Sequence, residues 1–413
     1  MFASSLLRKG ALLAAMPVLV TGALLAGTTA ASAVTAGDPP PSNDNFATPL
    51  VMSAGGGQFE VPDAAATVEV GEPDPLPNHV AALSLWYRWT PTRSGPATIT
   101  TKGSDYDTVL AGYTGSSLKA LTLKASNDDA SFDGVDTQQS KITLNVTAGV
   151  TYRIALDGYN AISSIGWSVL SWNMNDNFGA AETLNPKSAG VDGSNVDATS
   201  EPGEPLHAGQ SGGRSVWYRW TPTVSGFATV EASAPSFNTL LAVYKGAAVN
   251  TLTPIASNDD FGVGIPDSRV GFPVAAGKTY RIAVDGKGGS EGWFALTASI
   301  SSIKLNVAGG QTAEGSSGTH NLPFTLTLDH PSALAVTVNF ATANGTATAG
   351  SDYVAKTGSV TFAPGQTSKT VNVLVKGDKV KEPNETVKLK ITKVSGGGIG
   401  LGASTPGTIA NDD

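Results

Sequence analysis

The stretch WYRWTP at Trp86 to Pro91 returns 131 positions later at Trp217 to Pro222. Leu85, Tyr87 and Trp89 share one face of an extended run and Trp86 and Arg88 the other, the pattern of a central sandwich strand stopped by Pro91 and Gly95. Working outward, the Asn-Asp-Asp triplets at Asn127 and Asn258 keep the same offset. NDNF opens at Asn43 and again at Asn175, and TYRIALDG from Thr151 is answered by TYRIAVDG from Thr279. Several independent motifs in one shared order mean a duplicated unit with small loop insertions. Each copy spans about 130 residues, enough for a single core that buries roughly two-thirds of the chain's surface.

The texture inside a copy is that of strands. Tyr152, Ile154 and Leu156 alternate with Arg153, Ala155 and Asp157, the period of a half-buried strand, and helical periodicity is nearly absent. From Ile303 the pattern changes to a new series: Phe324, Leu326, Leu328; Val336, Val338, Phe340; Val371, Val373, Val375; Val387, Leu389, Ile391. Turn residues such as Ala363-Pro364-Gly365 separate these runs at sandwich-like spacing. The expectation is an all-β chain of three tandem β-sandwiches, two jelly-roll-like and one immunoglobulin-like.

Composition bounds the function. Arg8 and Lys9 precede an apolar stretch from Ala11 to Leu25, and Ala31-Ser32-Ala33 supplies small residues for cleavage, so residues 1–33 read as a secretory signal peptide and 34–42 as a linker. No later segment approaches the ~20 apolar residues needed to cross a bilayer. Removing Arg8 and Lys9 leaves 24 basic against 34 acidic residues, a net charge of −10 that disfavours nucleic acid. With no cysteine, an exported chain must rely on its cores or on bound ions.

Residues 301–413 resemble a Calx-beta domain, an immunoglobulin-like calcium-binding sandwich. The resemblance is carried by AEGSSG from Ala313, ATANGTATAGSDY from Ala341, VTFAPGQTSKT from Val360, GDKVKEPNET from Gly377 and the closing Asn411-Asp-Asp. It implies Ca²⁺ at one end of the sandwich, held by Glu314, Asp352, Asp378, Glu382, Glu385, Asp412 and Asp413, with a backbone oxygen near Val380. Ca²⁺ takes six to eight oxygen ligands in a tolerant geometry, which suits carboxylates gathered where strands end. Gly377, Lys379 and Asn384 stand where stronger binders carry acids, and Lys376 and Lys381 add positive charge. One or two ions at a Kd of ~10⁻⁴ to 10⁻³ M are therefore expected.

The duplicated unit, residues 43–172 and 173–300, resembles the bacterial pre-peptidase C-terminal type of domain. The matching stretches are ATSEPGEPLHAG from Ala198, SVWYRWTP from Ser215, SDYDTVLAGY from Ser104, the two internal triplets and TYRIAVDG from Thr279. In the first copy Asp105, Asp107, Asp128 and Asp129, followed by Asp133 and Asp136, offer either an oxygen cage or ordinary turn formation. The second copy has Ser236 and Asn238 in place of Asp105 and Asp107.

Catalytic signals are weak. Ser290 lies in a GxSxG pattern, but in a loop between strands rather than on a strand-to-helix elbow. The histidines at 79, 207, 320 and 330 lack zinc spacing, and His207 reads as a loop hydrogen-bonder beside Glu204. Trp86, Trp89, Trp167, Trp217, Trp220 and Trp293 fit core roles better than sugar platforms. The sequence reading is a secreted, non-enzymatic calcium-binding protein of extracellular adhesion or matrix binding. Its partner is an unidentified extracellular protein or polysaccharide, with no membrane insertion. A carbohydrate-binding module protein and a hidden secreted hydrolase are the alternatives.

Overall fold

The computed structural model describes residues 39–412 apart from 64, 77–82, 161–165 and 188. The signal peptide, residues 34–38 of the linker, His79 and Asp413 lie outside the described residues. Among those described there is no α-helix, only strands and five short 3₁₀ turns. Among the described residues no helix is long and apolar enough to cross a membrane.

The repeated motifs fold into repeated sheets. In the first copy a five-stranded sheet runs in the order Leu50–Val51, Leu85–Trp89, Tyr152–Gly158, Thr108–Thr114, Thr122–Asn127. Facing it is a four-stranded sheet of Gly57–Pro62, Trp167–Asn173, Gly95–Thr100 and Lys141–Val146. The second copy repeats both orders, with Val216–Trp220 and Tyr280–Gly286 inside its five-stranded sheet. Leu85, Tyr87 and Trp89 meet Ile99, Leu170 and Trp172 between the two sheets of the first copy. Val216, Tyr218 and Trp220 meet Val230, Phe294 and Leu296 in the second.

One strand departs from its sequence pattern. Tyr152–Gly158 is central in its sheet, paired on both sides, and buried on both faces rather than one. The second face is covered because Phe46 folds back over it, its ring edge-on to Trp86 at 5.1 Å and under the Arg153 guanidinium at 4.4 Å. Phe178 repeats this over Trp217 and Arg281. The NDNF motif thus adds a third layer, and the arginine that reads as solvent-facing is stacked on an aromatic ring.

The two copies touch. Strand Ala189–Ser194 lies against Gly57–Pro62 and Trp167–Asn173, and Lys102 and Lys141 reach Glu291 at 2.5 Å and Asp197 at 3.0 Å. The last strand of the second copy, Trp293–Ser301, is followed after Ser302 by Ile303–Gly309, the first strand of the third sandwich. There a four-stranded sheet of Ser368–Lys376, Thr319–Leu328, Ile303–Gly309 and Ile399–Ser404 faces a five-stranded one. The latter runs Gln311–Ala313, Gly407–Ala410, Glu385–Ser395, Val336–Asn344, Thr357–Phe362. Phe324, Phe362 and Val373 are fully buried between them.

Candidate metal centre

The acids of the third sandwich arrive on separate pieces of backbone. Glu314 follows Gln311–Ala313, which pairs in parallel with Gly407–Ala410; its amide donates to the Ala410 carbonyl at 2.9 Å and its side chain is buried. Asp352 closes its own turn: the Thr348 amide donates to Oδ2 at 2.7 Å, and the Asp352 amide donates to the Thr348 carbonyl at 3.1 Å. Glu385 opens the strand Glu385–Ser395 opposite Ile409, with Glu382 in the loop before it. Asp412 follows the last strand, and its Oδ1 accepts the Gly315 amide at 2.8 Å, which ties the end of the chain to the Glu314 loop.

These placements bring oxygens of Asp352, Glu382 and Glu385 within 4.8 Å of one another. Among the described residues no salt bridge reaches any of the three. Lys376 does not neutralise them, because its ammonium donates to the Gly350 carbonyl. The Glu385 carboxyl is accordingly pushed up to about 7, first by burial, then by repulsion from Asp352 and a shared hydrogen bond with it, then by Glu382 and Glu314. Burial also raises Asp352, but hydrogen bonds from Ser351, Thr348 and Glu385 outweigh it and leave its carboxyl below the ordinary value. Glu385 thus holds its proton toward the neutral range, the response of carboxylates crowded together.

The remaining candidates sit differently. Asp378 turns its Oδ1 onto the Val380 amide at 2.7 Å, and both residues are exposed. Gly377 carries that loop tightly against the Glu314 loop: a Cβ there would fall on the Gly315 carbonyl. Asn384 has a structural task, its Oδ1 accepting the Asn411 amide at 3.1 Å.

In the first sandwich Asp107, Asp128 and Asp129 converge within 4.8 Å. Asp105 is taken by the Trp167 amide at 2.8 Å, and Asp133 by Arg214 of the second copy. Asp136 lies exposed on the hairpin strand Val135–Thr137, opposite Ser131. The Asp107 carboxyl is pushed up to about 6 by burial and by repulsion from Asp128 and Asp129.

Other sites resolve as structure. Trp86, Trp89, Trp217 and Trp220 are at most 1% exposed, while Trp167 and Trp293 are partly buried, so four of the six rings offer no face to a sugar. Ser290 follows a 3₁₀ turn at Lys287–Gly289, and its hydroxyl donates to the Lys287 carbonyl at 2.8 Å. His207 is buried between the Glu204 carboxylate at 2.8 Å and the Tyr244 hydroxyl at 2.9 Å.

Residues 314–411 match the Calx-beta domain model. The matched segment starts at Glu314 and spans Asp352, Glu382 and Glu385. Over 80 residues the chain is 42% identical to Adhesion G-protein coupled receptor V1 of Danio rerio, a stretch that is 19% of this chain and 1% of the receptor. Among solved structures, the apo-form Calx CBD1 domain is 23% identical, with 27% of this chain and 99% of that chain covered at a TM-score of 0.23. The calcium binding domain CBD12 of CALX1.1 is 24% identical, with 27% of this chain and 46% of that chain covered at a TM-score of 0.24.

Proposed function

We propose that this is a secreted, non-enzymatic, calcium-binding protein of extracellular adhesion or matrix binding, with its ion in the Calx-beta domain. The reading rests on one observation: Asp352, Glu382 and Glu385 converge from two loops and a strand start, and among the described residues no salt bridge reaches them. Glu314 stands beside them, and Asp412 fastens the loop that carries it. Such a donor set is hard and anionic, which suits Ca²⁺. Bound there, Ca²⁺ would replace like-charge repulsion with attraction and join the Glu314, Asp352 and Glu382 loops at one end of the sandwich. The two preceding units are read as pre-peptidase C-terminal-like on their repeated motifs, and supply surface for a protein or polysaccharide partner.

Calorimetric titration of Ca²⁺ into the full chain tests the site. Binding in the ~10⁻⁴ to 10⁻³ M range that Glu385→Gln removes is expected. A Glu385→Gln chain that retains every calcium-binding event of the wild type would sink the assignment. For the adhesive role, binding to immobilised cell-wall and matrix polymers is the measurement, and hydrolysis of casein or polysaccharide by the pure protein would overturn it.

A further inference from the structure

The contact between the two copies joins unlike surfaces: loops of the second sandwich sit on the outer sheet face and hairpin of the first. Asn173, next to the core residue Trp172 and 2% exposed, donates to the Val196 carbonyl at 3.1 Å. Lys102 pairs with Glu291, Lys141 with Asp197, and Asp133 at the hairpin tip with Arg214. A heterologous contact of this kind leaves one unused half on each copy. These are the sheet face and hairpin of the second sandwich, and the loops at the Leu83 end of the first.

The unused halves can be named because the backbone frame repeats. Phe132 pairs with Val135 around Asp133-Gly134, and Gly262 with Ile265 around Val263-Gly264, so Val263 stands where Asp133 does. The Arg214 amide donates to Asp285 Oδ1 at 2.8 Å and the Leu83 amide to Asp157 Oδ1 at 2.8 Å, so Leu83 stands for Arg214. Asn195 and Asp63 each accept a glycine amide at 2.8 Å, from Gly292 and Gly166, so two residues on Ala65 stands for Asp197. Thr100 pairs with Lys141 and Glu231 with Arg269, which puts Arg269 in the place of Lys141. Both unused halves lack the charges of the used ones. Opposite Asp133 and Arg214, which attract, stand Val263 and Leu83, which are apolar. Asp197 has Ala65 as its counterpart, and Arg269 spends its charge inside its own sandwich, on Glu231 at 2.6 Å.

The second hairpin is uncovered. Phe261 is 47% and Ile265 44% exposed, Val263 is fully so, and Ser299, the counterpart of Asn173, is exposed as well. An apolar tip beside a polar sheet face marks a contact surface. The third sandwich leaves it free. It packs at the Gly226 end of the strand Gly226–Ser233, where Phe227 stacks on His330 at 4.2 Å, whereas the hairpin leads into Ser268 opposite Ala232 at the other end. We propose that this face binds a second copy of this chain: the Val263 hairpin takes the Leu83 end of that copy's first sandwich, as the Asp133 hairpin takes the Arg214 end within one chain. Mismatched pairings are penalised, since Asp133 against Leu83 or Val263 against Arg214 would desolvate an unpaired charge. Repeated, a heterologous contact gives a ring or an open string of molecules.

Sedimentation of the full chain in EDTA, which keeps the Calx-beta site out of play, reads the association. The mean mass of the wild type should rise with concentration. Val263→Asp and Leu83→Arg install the charges used inside the chain, and each variant alone should stay monomeric, its new charge facing an apolar partner. An equimolar mixture of the two should associate again, the new carboxylate meeting the new guanidinium at one contact and Val263 meeting Leu83 at the next. Where Leu83→Arg fails to fold, Val263→Cys and Leu83→Cys decide instead. The chain has no cysteine, so a bismaleimide should link these two variants to each other and neither to itself. A wild type that is monomeric at every concentration, an association indifferent to Val263→Asp, or a mixture no heavier than its parts would overturn the proposal. So would cross-linking within a single cysteine variant.

Discussion

Replacing Glu385 with glutamine should stabilise the calcium-free Calx-beta domain and at the same time end its response to calcium. The Glu385 carboxyl rises from 4.5 to about 7 on folding, so the folded state binds this proton more tightly than the unfolded chain does. Its contribution to stability is complete below about 4.5 and is lost as pH climbs through about 7. Taken at face value the rise is worth about 3 kcal/mol. Glu385 is only partly buried, and solvent screening cuts this to ~1 kcal/mol. Glutamine imitates the protonated acid, donating toward Asp352 without charge, and should recover that ~1 kcal/mol at pH 8, or about 4 °C for a domain of this size. Calcium acts the other way on the wild type: at a hundred-fold excess over Kd it adds about 2.7 kcal/mol that the variant forgoes. Melting curves at pH 8 should therefore cross, with the variant higher in EDTA and the wild type higher in ~10 mM calcium, a hundred-fold excess over a Kd near 0.1 mM. A variant that melts below the wild type in EDTA would show that these carboxylates do not strain the empty site, and the argument would fail.

Calcium must displace the proton shared by Glu385 and Asp352, so affinity at this site should be about ten-fold weaker at pH 6 than at pH 8, checked by titration at both values. Gly377→Ala would drive a methyl onto the Gly315 backbone carbonyl, which has no flexible side chain to yield. It should cost about 1 to 3 kcal/mol in urea unfolding and weaken calcium by parting the Asp378–Glu382 loop from Glu314. Trp220→Ala removes a fully buried ring and its 2.9 Å bond to the Asn185 carbonyl, and should cost about 3 to 5 kcal/mol. Its effect should appear in the unfolding of the second sandwich and leave the calcium titration of the Calx-beta domain unchanged.

What the sequence discloses depends on how local the deciding contact is. Duplication, strand identity and the meeting of Asp352, Glu382 and Glu385 were readable because each rests on alternation or on acids placed at strand ends. Spacing does not show how the Asp378 side chain is used, because an acid in a tight loop also satisfies its neighbour, here the Val380 amide. Lys376 looked like a competitor for calcium, yet its side chain caps the Gly350 carbonyl, a direction that spacing cannot reveal. The strand Tyr152–Gly158 read as half-buried because alternation reports two faces and knows nothing of the Phe46 segment that returns to cover one of them.

The same limit governs the duplicated loops themselves. Phe132 and Phe261 each follow an Asn-Asp-Asp triplet, and each carries a cation over its ring: Lys141 at 5.2 Å in the first sandwich and Arg269 at 3.8 Å in the second. Phe132 is 4% exposed and Phe261 47%, with Val263 fully exposed beside the latter. Around Phe132 the second copy contributes Asp197, Arg214 and Glu291, which pair with Lys141, Asp133 and Lys102 and close the hairpin in. The two loops thus differ both in side-chain charge and in what they face. The loop that faces the second copy carries Asp107, Asp128 and Asp129, and the one with its apolar tip exposed carries Asn238 and Lys287 beside Asp259 and Asp260. The comparison between copies therefore carries information that neither copy holds alone: one backbone frame presents two side-chain environments, set by what packs against each loop.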